Sequence, residues 1–263
     1  MKDREDFKGA SLYEGSVGNL DALLAVTEGA GAVIDCHGVS PPRFTSSLNL
    51  VRHPRHVPNS PYNVNFMGIK RLIAAMDINK VGKLVRVTGA ITGTSPFSLP
   101  VVLFNLLLSM TCKWHERCEI AIRESGLDYT VVRPTEISCE PSACETGRRL
   151  VLIPGDSDEK RKLGKISLYD VASLCVSAGL GEGKLSRATV VVSSVAGGAG
   201  DSTWAPLVAS RAQADWRPLQ RRWHELPTTL YATAFAASLA LFLVTIARLF
   251  LRVTRTALLW GAA

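Results

Sequence analysis

Arg133 is the residue whose type and position point most directly to chemistry. It follows Tyr129–Val132, a short run of β-forming residues, and precedes Pro134, which has no N–H to donate and so ends the strand. Before the strand, Gly126 closes a helix, because glycine readily takes the left-handed conformation found there. This order is one helix-to-strand step of a parallel sheet, and such sheets bind ligands beyond the carboxyl ends of their strands. The sequence therefore predicts Arg133 at the edge of a cofactor or substrate site.

The other reactive side chains form no recognisable constellation. The six cysteines include no CxxC pair and no Cys/His spacing suited to zinc, so no metal site is predicted. Cys36, Cys112, Cys118 and Cys175 lie in apolar or helical contexts, which favours free core thiols in a reducing compartment. No tyrosine is followed four residues later by lysine, so no general acid for hydride chemistry is identified.

Composition limits the functional classes. The 263 residues are 47% hydrophobic, which is enough for one well-buried core with some chain to spare. The net charge of +7 is moderately basic, but lysine and arginine are scattered and do not form a stripe with interleaved aromatic residues. Nucleic-acid binding is therefore not expected, whereas a basic excess near a hydrophobic tail fits a membrane surface.

Hydrophobic periodicity shows which elements would position Arg133. It predicts strands over 12–17, 32–36, 83–88, 129–132, 150–153 and 189–193, and helices over 20–26, 63–77, 101–124 and 167–178. Ser167 is the expected N-cap of the last helix, with Asp170 in its first turn. The polar, proline-containing segments 39–61 and 135–147 are predicted as long loops. Alternating strands and helices predict an α/β fold with a parallel sheet.

The C-terminal part of the chain changes in composition. The predicted organisation is a domain over 1–200, a polar basic linker over 201–226, a transmembrane helix over 227–251 and a short tail over 252–263. No charged residue occurs from Pro227 to Ala247, a length that spans a ~30 Å hydrocarbon core at ~1.5 Å per helical residue. An amphipathic or core helix is the alternative, because serine and threonine dilute the hydrophobicity.

Four segments carry a family resemblance, and they are specific when taken together. They are NVNFMGIKRLIAAM (63–76), KLVRVTGA (83–90), EIAIRESGLDYTVVRP (119–134) and KISLYDVASLCVSA (165–178). With the order of elements over about 12–193, they make the chain resemble the atypical short-chain dehydrogenase/reductases, and within them the NmrA-like group. The resemblance implies a Rossmann-like parallel sheet that holds NAD(P) along its carboxyl edge.

The resemblance also implies a set of cofactor-binding residues: His37, Gly38, Thr88, Lys113, Arg133 and Pro134. His37-Gly38 matches a loop that passes the cofactor's ribose, Thr88 a hydroxyl at a strand end, and Arg133-Pro134 the loop on the nicotinamide side. The family's usual lysine would fall at His115, and Lys113 is the nearest lysine. Thr88 as a strand-end cap and His37 as a hydrogen-bonded turn residue are the structural alternatives, and Asp170 is predicted to be a helix cap.

The chain also departs from the family pattern. The family's first strand and its GxxGxxG phosphate turn are missing, so the predicted sheet is truncated on its N-terminal side. Two functions stay open. One is an NAD(P)-dependent oxidoreductase tethered by its C-terminal helix. The other is a non-catalytic, membrane-anchored scaffold or assembly factor that has a degenerate nucleotide site and binds a protein partner. The predicted location is a membrane with a single-pass anchor, with the chloroplast as one option for the organelle.

Overall fold

A computed structural model describes residues 9–39, 54–95, 98–155, 164–181, 185–197 and 201–215, with Leu230, Thr233, 236–237, 240–241 and 244–248. The chain divides into two units, Met1–Arg221 and Arg222–Ala263. The first unit contains a five-stranded sheet with helices on both faces, so the predicted Rossmann-like α/β fold is confirmed.

The strands that position the site are parallel and adjacent. The described strands are β1 (Ala32–Asp35), β2 (Lys83–Val87), β3 (Asp128–Pro134), β4 (Ile137–Ser138), β5 (Arg149–Pro154), β6 (Ile166–Ser167) and β7 (Ala188–Val195). The sheet order is β1-β2-β3-β7-β5, and only β5 is antiparallel to its neighbour; β4 and β6 form a separate parallel pair. Leu84 of β2 pairs with Val33 on one side and Tyr129 on the other. The carboxyl ends of β1, β2 and β3 therefore meet at one edge.

The helices cover both faces of this sheet. The described α-helices are α1 (Leu20–Thr27), α2 (Gly68–Ile78), α3 (Leu99–Leu107), α4 (Thr111–Glu124), α5 (Ala143–Thr146), α6 (Leu168–Gly179) and α7 (Trp204–Arg211). Short 3-10 helices occur at Pro54–His56 and Ala90–Gly93, and a π-helical turn at Tyr62–Met67 leads into α2. One core includes Ile69, Leu84 and Val131, and the opposite core includes Leu174 and Trp204.

Three predicted segments differ from the structure, and the first is the loop predicted over 135–147, which contains β4 and α5. The strand predicted over 12–17 is wrong, because this segment leads through a turn, with the Asn19 N–H donating to the Ser16 carbonyl, into α1. The helix predicted over 101–124 is two helices, because Ser109 and Met110 have φ angles of 51° and 64° that interrupt the helical hydrogen bonding.

Helix α7 belongs to the folded unit, although it lies in the segment predicted as a linker. Trp204, Leu207 and Val208 are buried in the core that also contains Leu174. The Trp204 indole N–H donates to the carbonyl of Asp170 at 2.7 Å. The chain beyond β7 is therefore part of the packing of the sheet.

The structure does not support the transmembrane helix predicted over 227–251. The membrane partner and the membrane location depended on that helix and are not supported either. Most of those residues lie outside the described part of the chain. A span needs about 20 consecutive, mostly apolar residues. Among the described residues, no helix combines the length and apolarity needed to cross a bilayer.

Candidate functional site

The first cluster of polar side chains lies where β1 and β2 end. Arg86 is fully buried, and its Nη1 donates to Asp35 Oδ2 at 2.7 Å. His37 Nδ1 lies 2.5 Å from Asp35 Oδ1 and 3.1 Å from Arg86 Nη1, while His37 Nε2 donates to the carbonyl of Val64 at 3.0 Å. Burial raises the pKa of the Asp35 carboxyl, but Arg86 and His37 outweigh burial, so the pKa lies below its usual value. Both ring nitrogens of His37 therefore serve the packing of β1, β2 and the π-helical turn.

The second cluster lies where β2 and β3 end, and Glu119 of α4 is its centre. Arg133 Nε and Nη2 reach the two carboxylate oxygens of Glu119 at 3.1 and 2.5 Å, a bidentate pair. The Thr88 hydroxyl donates to Glu119 Oε1 at 2.8 Å. Burial raises the pKa of Glu119, but Arg133 and Thr88 outweigh it and the pKa lies below its usual value. The structure thus brings the predicted site residues Thr88 and Arg133 together. The Thr88 hydroxyl and the Arg133 guanidinium both bind Glu119.

His115 lies between the two clusters, one turn before Glu119 on α4. Burial and then repulsion from Arg86 lower the pKa of His115 to about 4, so its ring is neutral at pH 7. Its Nε2 is 3.3 Å from the Asn65 side-chain amide. His115 Nδ1 and Asn65 Oδ1 are buried and have no hydrogen-bond partner among the described residues. These two atoms are a buried donor and acceptor that no described residue satisfies.

Lys113 and Pro134, the other predicted site residues on α4 and β3, lie in different settings. Lys113 Nζ lies 5.1 Å from the centre of the Trp114 ring, and burial followed by repulsion from Arg117 lowers the pKa of Lys113 to about 8. Pro134 pairs with Val192 of β7 beyond the last residue of β2, so its missing N–H leaves no gap in the β2–β3 ladder.

Gly38 is the predicted site residue that leaves most room for a ligand. It is exposed, and a Cβ added there would meet no described atom within 4 Å. Gly89, which follows Thr88, has the same open surroundings. Backbone can therefore be approached closely at the ends of both β1 and β2.

Sequence reasoning missed Asp35, Asn65 and the central role of Glu119. The signal for Glu119 was available, because Cys118, Glu119 and Ile122 share the buried face of a helix and a buried carboxylate needs a cation. Asn65 gave no such signal, since its burial depends on the π-helical turn. The predicted helix cap Asp170 lies in the first turn of α6, and its carboxylate accepts hydrogen bonds from the Ala143 N–H at 2.9 and 3.2 Å.

The sheet order and the strand directions are those of a Rossmann-like α/β protein. Solved structures share this fold. One is a short-chain dehydrogenase/reductase from Veillonella parvula in complex with NADP, 18% identical, with a TM-score of 0.52 over 76% of this chain and 77% of that chain. Another is a putative NAD-dependent epimerase/dehydratase from Bacillus halodurans, 19% identical, with a TM-score of 0.50 over 74% and 75% of the two chains.

Residues 1–179 match the family described as NAD(P)H-binding, and the chain belongs to it. Binding of NAD(P) is therefore a property of this domain. The chain is also similar to the protein TIC 62, chloroplastic, of Arabidopsis thaliana, with 27% identity over 59% of this chain and 21% of the relative. The Pisum sativum protein of the same name is 34% identical over 43% of this chain and 20% of the relative. The chain thus spans about a fifth of the length of these relatives.

Proposed function

We propose that the chain binds the nicotinamide half of NAD(P) across the carboxyl ends of β1, β2 and β3, and serves as a dinucleotide-binding module without hydride transfer of its own. The observation that carries this proposal is the engagement of Glu119 with both Arg133 and Thr88. The hydroxyl and cation expected to act on a substrate are bonded to a protein carboxylate. What the edge offers to a ligand is open backbone at Gly38 and Gly89.

A leucine at Gly38 tests the location of the site. The substitution Gly38→Leu enters open space, so the fold should tolerate it while the side chain fills the room for the dinucleotide. Gly31→Leu, at the opposite end of β1 and equally open, is the matched control. Titration of the full chain with NADPH should show weakened binding by Gly38→Leu and unchanged binding by Gly31→Leu. Equal affinities for the two variants would refute the location.

His115 favours an oxidoreductase as the second candidate function. A neutral imidazole whose buried Nδ1 has no partner among the described residues has the chemistry of a proton donor or acceptor. An assay for NADPH oxidation distinguishes the two functions. The chain is mixed with NADPH and small carbonyl compounds, and the absorbance of NADPH is monitored over time. Turnover that is lost in His115→Gln would establish the enzyme, and tight binding without turnover supports the binding module.

A chloroplast location is proposed on the similarity to relatives whose names place them there. A fluorescent protein fused to the C-terminus of the complete gene product, expressed in leaf cells, should coincide with chlorophyll fluorescence. Fluorescence spread through the cytosol would contradict the proposal.

A further inference from the structure

Three aromatic rings from the π-helical turn and α4 pack together on the outside of the sheet. The Tyr62 and Trp114 ring centres are 4.8 Å apart at 79°, and the Phe66 and Trp114 centres are 5.9 Å apart at 25°. Trp114 is only 6% exposed, while Tyr62 and Phe66 are half-buried. The cluster packs α4 against the π-helical turn that leads into α2.

Two cations share the Phe66 ring. Lys70 Nζ lies 5.8 Å and Arg117 Cζ 5.6 Å from its centre. Both distances are within the range of a cation–π interaction, which holds the cations in place without neutralising them. Tyr62, Phe66, Lys70, Trp114 and Arg117 together form what we call the basic aromatic face.

No carboxylate balances these cations within the described part of the chain. Neither Lys70 nor Arg117 makes an ion pair with a described acidic residue, and Arg117 Nε is buried without a hydrogen-bond partner there. The sequence from Cys36 to His115 contains a single acidic residue, Asp77, which lies 3.7 Å from Lys80. The neighbouring acid Glu116 is buried. The positive field is also felt by Lys113, whose pKa is lowered by burial and then by Arg117.

We propose that the basic aromatic face is a docking surface for an acidic polypeptide segment, whose carboxylates pair with Lys70 and Arg117. A guanidinium can pair with a carboxylate in a bidentate arrangement, and the cation–π contacts leave the charges of Lys70 and Arg117 without an ion-paired carboxylate among the described residues. Phe66 is stacked on Trp114 and has two cations over its ring, and Trp114 is nearly buried, which favours a charged peptide over nucleic-acid bases or lipid as the partner. This interaction goes beyond dinucleotide binding and does not depend on it.

Charge reversal of the two ring-bound cations tests the proposal. The probe is a fluorescein-labelled oligoglutamate peptide, and its binding to the full chain is followed by fluorescence anisotropy at increasing salt. The double variant Lys70→Glu/Arg117→Glu should weaken binding by about tenfold or more. The control Lys80→Glu/Lys165→Glu reverses two exposed lysines that lie in surface ion pairs elsewhere, and should leave affinity nearly unchanged. Lys70→Ala/Arg117→Ala, the milder change, should give a smaller loss in the same direction.

Several results would overturn the proposal. If the control variant weakens binding equally, the binding depends on net charge and not on this face. If the unaltered chain does not bind the peptide, the proposal is refuted. Binding of phosphatidylserine vesicles or of a single-stranded oligonucleotide that depends on Lys70 and Arg117, without peptide binding, would assign the face to a different partner. NADPH titration of the same variants should be unaffected.

Discussion

Glu119 is the single side chain on which the carboxyl edge depends most. Removing its charge by Glu119→Gln leaves the buried Arg133 guanidinium without a carboxylate, and breaking a buried pair in this way costs about 3–5 kcal/mol. We expect the free energy of unfolding to fall by that amount in denaturant titrations. Glu124→Gln, on the exposed side of the same helix, should change it by less than about 0.5 kcal/mol. Similar losses in the two variants would contradict the structural role of Glu119.

His115 gives the stability a distinct dependence on pH. Its pKa is about 4 in the folded chain and ~6.5 when unfolded, so its contribution is fully present above pH ~6.5 and is lost as pH falls towards 4. In that window the free energy of unfolding should fall with a slope of about 1.4 kcal/mol per pH unit from this residue alone. The carboxylates Asp35 and Glu119, whose pKa values are lowered, lose their contribution only below their unfolded values of about 4.

The variant His115→Gln separates these two windows. Unfolding free energies measured from pH 7 to pH 4 should lose the slope that His115 supplies, while the decline at lower pH remains. His56→Gln, at an exposed position, should keep the full slope. An unchanged profile for His115→Gln would show that the ring does not change its protonation on unfolding.

At the scale of elements, local signals predicted the strands β1, β2 and β3 because each is a short apolar, largely β-branched run that ends at a turn. They did not predict the break between α3 and α4, because Ser109 and Met110 adopt positive φ angles without a glycine to mark the position. The antiparallel direction of β5 likewise depends on pairing with β7, which is distant in sequence. At the site, the strand ends in the sequence predicted the positions of Thr88 and Arg133. Their shared partner, Glu119, could not be predicted because it depends on how α4 packs on the sheet.

Strand β1 has an edge that suggests self-association. Among the described strands it pairs only with β2, and it contains neither lysine nor proline to discourage another strand. Ile34 is 43% exposed and lies beside Gly179 of α6. We expect Ile34→Lys to reduce concentration-dependent association in light scattering, because an edge lysine opposes strand addition. Ile78→Lys, which removes an exposed isoleucine at the end of α2, is the control, and equal reductions would assign the effect to charge alone.

At the scale of the whole molecule, the boundary of the folded unit lies beyond α7. Asp215 accepts hydrogen bonds from the Tyr129 hydroxyl at 2.9 Å and the Thr189 hydroxyl at 2.7 Å, and lies 3.2 Å from Arg123. It therefore ties α4, β3 and β7 together from outside the predicted domain 1–200. A chain ending after residue 221 retains these contacts and all of α7, so it should unfold thermally as the full chain does.

A chain ending after residue 200 should fail to melt cooperatively. It loses the burial of Trp204, Leu207 and Val208, each contributing about 1.5–3 kcal/mol, and it leaves Arg123 without the carboxylate of Asp215. Together these losses are comparable to the ~5–15 kcal/mol that stabilises an ordinary domain. Near-ultraviolet circular dichroism during heating distinguishes the two truncations. A cooperative transition of the shorter chain at the temperature of the longer one would show that α7 and Asp215 contribute little to the sheet they cover.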